Sequence, residues 1–296
     1  MHKTVFKQLA IDYLEVKPQR WYLDGTFGVG GHSGEILARG GNVLAFDYDE
    51  EAILAGHQKF KDTIAAGQMI LVRENFDQIQ KITDDLQKKG AVGEIRGILF
   101  DFGTSTDQLL QSEVGLSFNH YAPLDMRLDT RLGVTAADLL MVLSEKQLAD
   151  IFYHYGGELE NRQIAKAIVK QRAKYGARAF QTTGDLTSLV NTTKKAMPTR
   201  LHPATKVFQA LRIVVNDELG NLERVLPQAW QILNSGDRLV TIAFHEGEDR
   251  PVKQFMQAKA QNNEGILISK KPIMPDTEEL KNPRARSAKL RAIEKR

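Results

Sequence analysis

Three glycines crowded between two short apolar runs constrain this chain more than any other feature. Trp21 to Asp49 reads WYLDGTFGVGGHSGEILARGGNVLAFDYD. Trp21-Tyr22-Leu23 runs into Asp24, and Gly28, Gly30 and Gly31 fill the turn that follows. Ser33 to Arg39 has helical character, Gly40-Gly41 stops it, and Val43 to Phe46 forms a second apolar run ending on Asp47. Strand, glycine turn, helix, strand opens a parallel α/β sheet. Glycine is needed where the backbone takes a positive φ or where a ligand lies directly against it. A carboxylate ending the second strand is placed to accept the hydroxyls of a ribose. These residues predict a nucleoside-cofactor site, with a purely structural glycine turn as the competing reading.

The pattern also selects among cofactors. A dinucleotide fingerprint requires Gly-x-Gly-x-x-Gly to seat a pyrophosphate on the helix N-terminus, and here Ser33 holds the third glycine's place. No Gly-Lys-Ser/Thr follows, so the P-loop is absent as well. Asp24 at the mouth of the turn repels phosphate and attracts a cation. S-adenosylmethionine meets these conditions: it has no phosphate, a positive sulfonium, an α-ammonium group and a ribose for Asp47. The residues favour a methyltransferase over a dehydrogenase.

Strand–helix alternation continues beyond Asp47. Glu50 to Phe60 reads as a helix, Met69 to Val72 as a third strand ending near Asn75-Phe76, and Asp77 to Lys89 as a helix with Ile79, Ile82 and Leu86 at helical spacing. Ile95 to Phe102 is a fourth strand whose apolar centre runs into Asp101. Asp24, Asp47, Asn75-Phe76 and Asp101 therefore all stand at carboxyl ends of parallel strands, where open α/β sheets bind ligands. Residues 107 to 205 break the pattern with helical segments (Ala136–Leu140, Glu145–Tyr153, Glu158–Tyr175, Gly184–Lys195) and no convincing strand. A long helix is expected from Pro203 to Leu233, then a fifth strand from Arg238 to Phe244, a helix from Asp249 to Gln261, and strands at Ile266–Pro272 and Ser287–Ile293. The expected fold class is α/β: a mainly parallel, doubly wound sheet in residues 1–106 and 206–296, with a helical domain inserted at 107–205.

Composition adds its weight through charge. The 296 residues carry a net charge of only +3, yet residues 161–212 hold eleven Lys/Arg against Asp185 alone, and residues 281–296 hold seven against Glu294 alone. Clustered positive charge is the footprint of a polyanion binder, while either cluster by itself is equally read as solvated helix surface. Within the first cluster, Arg162, Lys166, Lys170 and Lys174 recur every four residues and so share one helical face, above an apolar stripe of Ile164, Ala165, Ile168 and Val169. That face suits RNA phosphates, and Arg284 and Arg286 of the second cluster are expected to act with it. With no run of eighteen apolar residues and no cysteine, neither a membrane span nor disulfides are expected, and a cytoplasmic setting is the default.

Asp101-Phe102-Gly103 matches the magnesium-binding tripeptide of protein kinases, but the strand lysine and H-R-D loop that a kinase needs are missing. At the end of a fourth methyltransferase strand, Asp101 is instead the candidate catalytic residue, orienting an acceptor amine or contacting the cofactor. His202-Pro203 reads as a helix start. His32, His202, His245 and Glu246 follow no zinc spacing, so no metal is expected.

Taken together, seven segments resemble the small-subunit ribosomal RNA (cytosine-N4)-methyltransferase family, MraW. They are DGTFGVGGHS (24–33), LAFDYDEEAI (44–53), FDFGTSTDQL (100–109), PLDMRLD (123–129), HPATKVFQALRIVVNDEL (202–219), FHEGEDRPVKQF (244–255) and NPRARSAKLR (282–291). The resemblance implies a Rossmann-like class I methyltransferase fold with a helical insertion. It also implies S-adenosylmethionine as donor and a cytidine of small-subunit ribosomal RNA, free or in the assembled subunit, as acceptor. By position it implies donor contacts at Gly30, Gly31, His32, Asp47, Phe76, Asp101 and Gln108. The chain departs from the family pattern at Phe102-Gly103-Thr104-Ser105-Thr106, at Glu246-Gly247 and at Val114, all on the acceptor side. A relative with another RNA target, and an assembly factor that only binds RNA, are the alternatives these departures leave open.

Overall fold

The computed structural model describes residues 4–103, 113–118, 121–194 and 202–296, the side chains of 283 and 284 aside. Seven strands form one sheet: β1 (Trp21–Asp24), β2 (Asn42–Asp47), β3 (Met69–Arg73), β4 (Ile95–Asp101), β5 (Arg238–Ala243), β6 (Gly265–Leu267) and β7 (Lys289–Lys295). Their order is β3-β2-β1-β4-β5-β7-β6, parallel from β3 to β5, with β7 antiparallel to both of its neighbours. The described helices are α1 (Lys7–Leu14), α2 (Gly31–Ala38), α3 (Glu50–Lys59), α4 (Lys61–Ala65), α5 (Ile79–Lys88), α6 (Ala136–Val142), α7 (Glu145–His154), α8 (Asn161–Tyr175), α9 (Thr183–Thr193), α10 (Thr205–Val215), α11 (Glu218–Ile232) and α12 (Glu246–Gln261).

The chain divides into two compact units, Met1–Gly103 with Leu219–Arg296, and Thr104–Glu218. In the first, the sheet is apolar on both faces because helices cover both, the condition under which parallel strands persist. Alternate residues divide between the faces. Tyr22, Val43, Ala45, Leu99, Val240 and Ile242 pack with Ala10, Ile11 and Leu14 of α1 and Ile36 of α2. Leu23, Leu44, Phe46, Ile98, Phe100 and Leu239 pack with Ile79 of α5, Val225 and Trp230 of α11 and Met256 of α12. The chain order reverses at β1, whose two neighbours are β2 and β4, so a ligand crevice opens between the carboxyl ends of β1 and β4.

The second unit is helical around its own core, which includes Leu140, Leu148, Phe152, Ile164, Ile168, Leu186, Phe208 and Leu211. Thr135, Ser144 and Thr182 start α6, α7 and α9 with capping boxes.

The expected helix from Pro203 to Leu233 is in fact two. Asp217 takes a left-handed φ of 47°. The Asn216 amide accepts from the Leu128 N–H and donates to the Met126 carbonyl, both on another loop of the same unit. Two tertiary hydrogen bonds made by one asparagine end the helix where periodicity continues, and α10 stays with the helical unit while most of α11 returns to the sheet. The last two strands also shift, to Gly265–Leu267 and Lys289–Lys295.

Candidate active site

Register places the site before any side chain is considered. Asp24 is level with Ala45 of β2 and Leu99 of β4, and Asp47 and Asp101 each stand two residues further along their strands. Side chains in strands alternate with period two. The three carboxylates therefore share the parity of Ala45 and Leu99, on the face covered by α1 and α2. Asp24, Asp47 and Asp101 converge over the glycine turn.

Their roles differ. Asp24 is fully buried; one oxygen accepts from the Ser33 hydroxyl at 2.7 Å and the other from the Thr26 N–H at 3.2 Å. Burial raises its pKa against those donors. The sequence reading of Asp24 as a cation attractor is corrected here: it is a buried tie from β1 to α2. Ser33 and Thr26 went unnoticed because nothing in spacing distinguishes a hydroxyl that grips a strand end. Thr26 further accepts from the Asp101 N–H at 2.6 Å and joins β4 to the same turn.

Asp47 accepts from the Gly28 N–H at 2.7 Å and the Asp49 N–H at 2.9 Å. Burial pushes its carboxyl up to about 7, although the Asp49 and Gly28 donors act the other way. Asp49 in turn caps α3 through the Glu51 N–H. Gly28 has φ 53° and no atom within 4 Å of where a Cβ would stand, so its free side is open for a ligand. Gly30 and Gly31 are glycines for another reason: a Cβ would strike the Phe27 and Phe60 rings at Gly30, and Thr4 at Gly31.

Phe76 follows β3 in a 3-10 turn capped by Asn75, which accepts from the Asp77 N–H. Its partly exposed ring meets Phe100 and Phe102 edge-on at 5.9 and 6.1 Å, while those two stack at 5.4 Å. An apolar wall thus stands at the end of the strand beside Asp47. His32 is buried, with Nε2 3.2 Å from the Val5 carbonyl and Nδ1 3.9 Å from Asp101 Oδ2. Burial lowers its pKa to about 4 and keeps the ring neutral.

Other singled-out residues fall elsewhere. His245 starts α12 with Nε2 3.1 Å from Glu248, and Glu246 pairs with Lys289 at 3.0 Å. His202 accepts from the Ala204 N–H and stacks on Phe118 at 4.3 Å. Gln108 lies outside the described residues, as does the Arg284 side chain; Arg286 is exposed.

The basic clusters separate once partners are assigned. Arg172 donates to the Leu140 and Leu143 carbonyls, Lys194 pairs with Glu158 and Arg212 with Glu218. Arg162, Lys166, Lys170 and Lys174 remain exposed along α8. In the C-terminal cluster, Arg291 and Lys289 both bind the buried Asp249, and Lys295 donates to the Trp230 and Leu233 carbonyls. Much of that cluster's charge is internal to the fold.

A seven-stranded sheet in this order with a reversed β7, carrying carboxylates past its switch point, defines a class I methyltransferase. The profile of the MraW methylase family matches residues 1–296, and the chain belongs to that family. It is similar to ribosomal RNA small subunit methyltransferase H of Beijerinckia indica subsp. indica, at 42% identity over 98% of this chain and 84% of the relative. The protein of the same name from Acidobacterium capsulatum is 40% identical over 100% of this chain and 98% of the relative. That from Coprothermobacter proteolyticus is 39% identical over 99% and 96%.

Proposed function

We propose that this enzyme transfers the methyl group of S-adenosylmethionine to N4 of a cytidine in small-subunit ribosomal RNA, acting in the cytoplasm on an assembled or partly assembled subunit. Family membership supports the transfer, and the relatives' names support the RNA. The structural observation that carries the reading is the pair Asp47 and Asp101, level with each other past β1, with Asp47 held by the N–H of Gly28, whose free side is open.

S-adenosylmethionine supplies an electrophilic methyl group when bound. The ionised Asp47 accepts from the ribose hydroxyls, Phe76 walls the adenine, and the turn at Gly28 to His32 receives the rest of the donor. The cytosine amine is a weak nucleophile because its lone pair is delocalised into the ring, so catalysis rests on holding it in near-attack geometry. Asp101 orients the reacting pair, and no strong base is needed because the nitrogen becomes acidic once methylated. A cytidine in folded RNA must be splayed out to react.

Incubating the protein with small subunits from cells that lack it is expected to yield N4-methylcytidine at one position; donor binding without transfer to any RNA would contradict the reading. Asp101→Asn is expected to lower turnover by about 100-fold, the scale of a mispositioned reactant, in single-turnover assays. Unchanged turnover and donor affinity would remove Asp101 from the site.

The exposed α8 face supplies phosphate contacts. Changing Arg162, Lys166, Lys170 and Lys174 together to glutamine is expected to raise KM for the subunit roughly tenfold or more and to flatten the log–log salt dependence by about 3. Donor affinity should not move. Activity indifferent to these four changes would point to a small-molecule acceptor.

A further inference from the structure

The basic stripe of α8 ends on an aromatic ring. Arg162, Lys166, Lys170 and Lys174 follow one another at four-residue intervals, about 6 Å apart along the axis and roughly the backbone step of one nucleotide. α8 contains no acidic residue, and none of these four cations pairs with a carboxylate among the described residues. The fold uses only the remaining cation of the helix, Arg172, which donates to the Leu140 and Leu143 carbonyls. Tyr175 closes α8, and Gly176 turns the chain away at a φ of 56°. The Tyr175 ring is 49% exposed and takes no part in the helical core, whose buried α8 members are Ile164, Ala165 and Ile168. Lys174 Nζ lies 4.8 Å from the ring centroid, so the last cation and an exposed π surface share one spot. At the other end Tyr155 and Leu159 precede Arg162, and Leu159 is 80% exposed. Exposed apolar side chains scattered singly need no explanation, but these bracket an unneutralised row of cations.

We propose that α8 binds a single-stranded stretch of RNA, with Tyr175 as the residue on which one base stacks while Lys174 holds the adjoining phosphate. The inference rests on the phosphate face proposed above and deepens it by naming the conformation of the RNA. Charge alone attracts any polyanion and expresses no preference for strandedness. The ring expresses one: bases in a duplex are stacked on each other and offer no free face, whereas an unpaired base can lie on a tyrosine. The chemistry of the reaction asks for the same conformation, since the cytosine amine is engaged in any base pair and can be methylated only once it is free.

The test titrates the full chain, by fluorescence anisotropy, with a labelled unstructured oligoribonucleotide of about ten nucleotides and with its blunt duplex. The wild type is expected to bind the single strand about tenfold more tightly than the duplex, the scale of one stacked base. Tyr175→Ala should lose about that factor on the single strand and nothing on the duplex, while Tyr175→Phe, which keeps the ring, should bind both as the wild type does. Equal wild-type affinity for the two RNAs would overturn the proposal. A merely structural role for Tyr175 would weaken both RNAs equally in Tyr175→Ala, which would overturn it too. Photo-crosslinking of an iodouridine-substituted single strand to the wild type gives a readout independent of any variant. A crosslink at Tyr175 is expected, and crosslinks confined to other residues would overturn the stacking. If the wild type binds neither RNA, or changing the four cations to glutamine leaves binding intact, the phosphate face itself fails, an outcome distinct from a Tyr175→Ala chain with unaltered affinity.

Discussion

Asp47→Asn is expected to weaken S-adenosylmethionine binding by about 100-fold at pH 8 and, at the same pH, to raise the melting temperature. The first effect follows from losing charge on the group that accepts two ribose hydroxyls, since hydrogen bonds to an ionised acceptor contribute about 1.5–3 kcal/mol each. The second follows from linkage. Burial raises the Asp47 carboxyl to about 7 in the folded chain, from 3.8 as its ordinary value. The native state therefore holds this proton more tightly than the unfolded state. Stability from that difference is complete below the ordinary value and is lost as pH rises through about 7. An asparagine has no such loss, so the variant should gain over the wild type at pH 8 and show no gain at pH 4. Donor affinity of the wild type should in turn fall as pH drops below about 7, because the protonated carboxyl accepts poorly. Scanning calorimetry and donor titrations across pH check both halves; a wild type and variant with identical pH profiles would remove Asp47 from the ribose site.

The largest loss of stability is expected from Asp249→Ala. Asp249 is 3% exposed and receives Arg291 Nε at 2.6 Å and Nη2 at 3.1 Å, with Lys289 at 3.1 Å. Burial alone would raise its carboxyl, but the Arg291 and Lys289 donors outweigh burial and hold it below the ordinary value. Removing it leaves Arg291, itself 9% exposed, as an uncompensated charge between α12 and β7. Breaking one partner of a buried pair costs about 3–5 kcal/mol, or roughly 10 °C in melting temperature for a unit of this size. A change within about 1 °C, measured by scanning calorimetry, would contradict this account of the pair. Replacing Arg291 as well by an apolar residue should recover much of the loss.

This pair also marks how far the sequence could be read. Strand ends, glycine turn and α8 face were legible because each is a local pattern: an apolar run meeting a carboxylate, or cations four residues apart. In the segments FHEGEDRPVKQF and NPRARSAKLR the helix and strand were legible, but nothing local paired their charges with one another. The structure shows them to be two halves of one ion-pair network that closes the antiparallel edge of the sheet. Asp24 was misread for the same reason. At the level of spacing, a carboxylate that binds a ligand and one tied to Ser33 are identical, and only burial separates them. The break at Asn216 likewise depends on Met126 and Leu128, far away in sequence.

Calorimetric titration of the purified chain with S-adenosylmethionine, beside NADH as the rival nucleoside cofactor, tests the central claim most directly. One S-adenosylmethionine per chain should bind, binding should collapse in Asp47→Asn, and NADH should give no heat. Binding of NADH, or indifference to S-adenosylmethionine, would contradict the assignment of the crevice between β1 and β4.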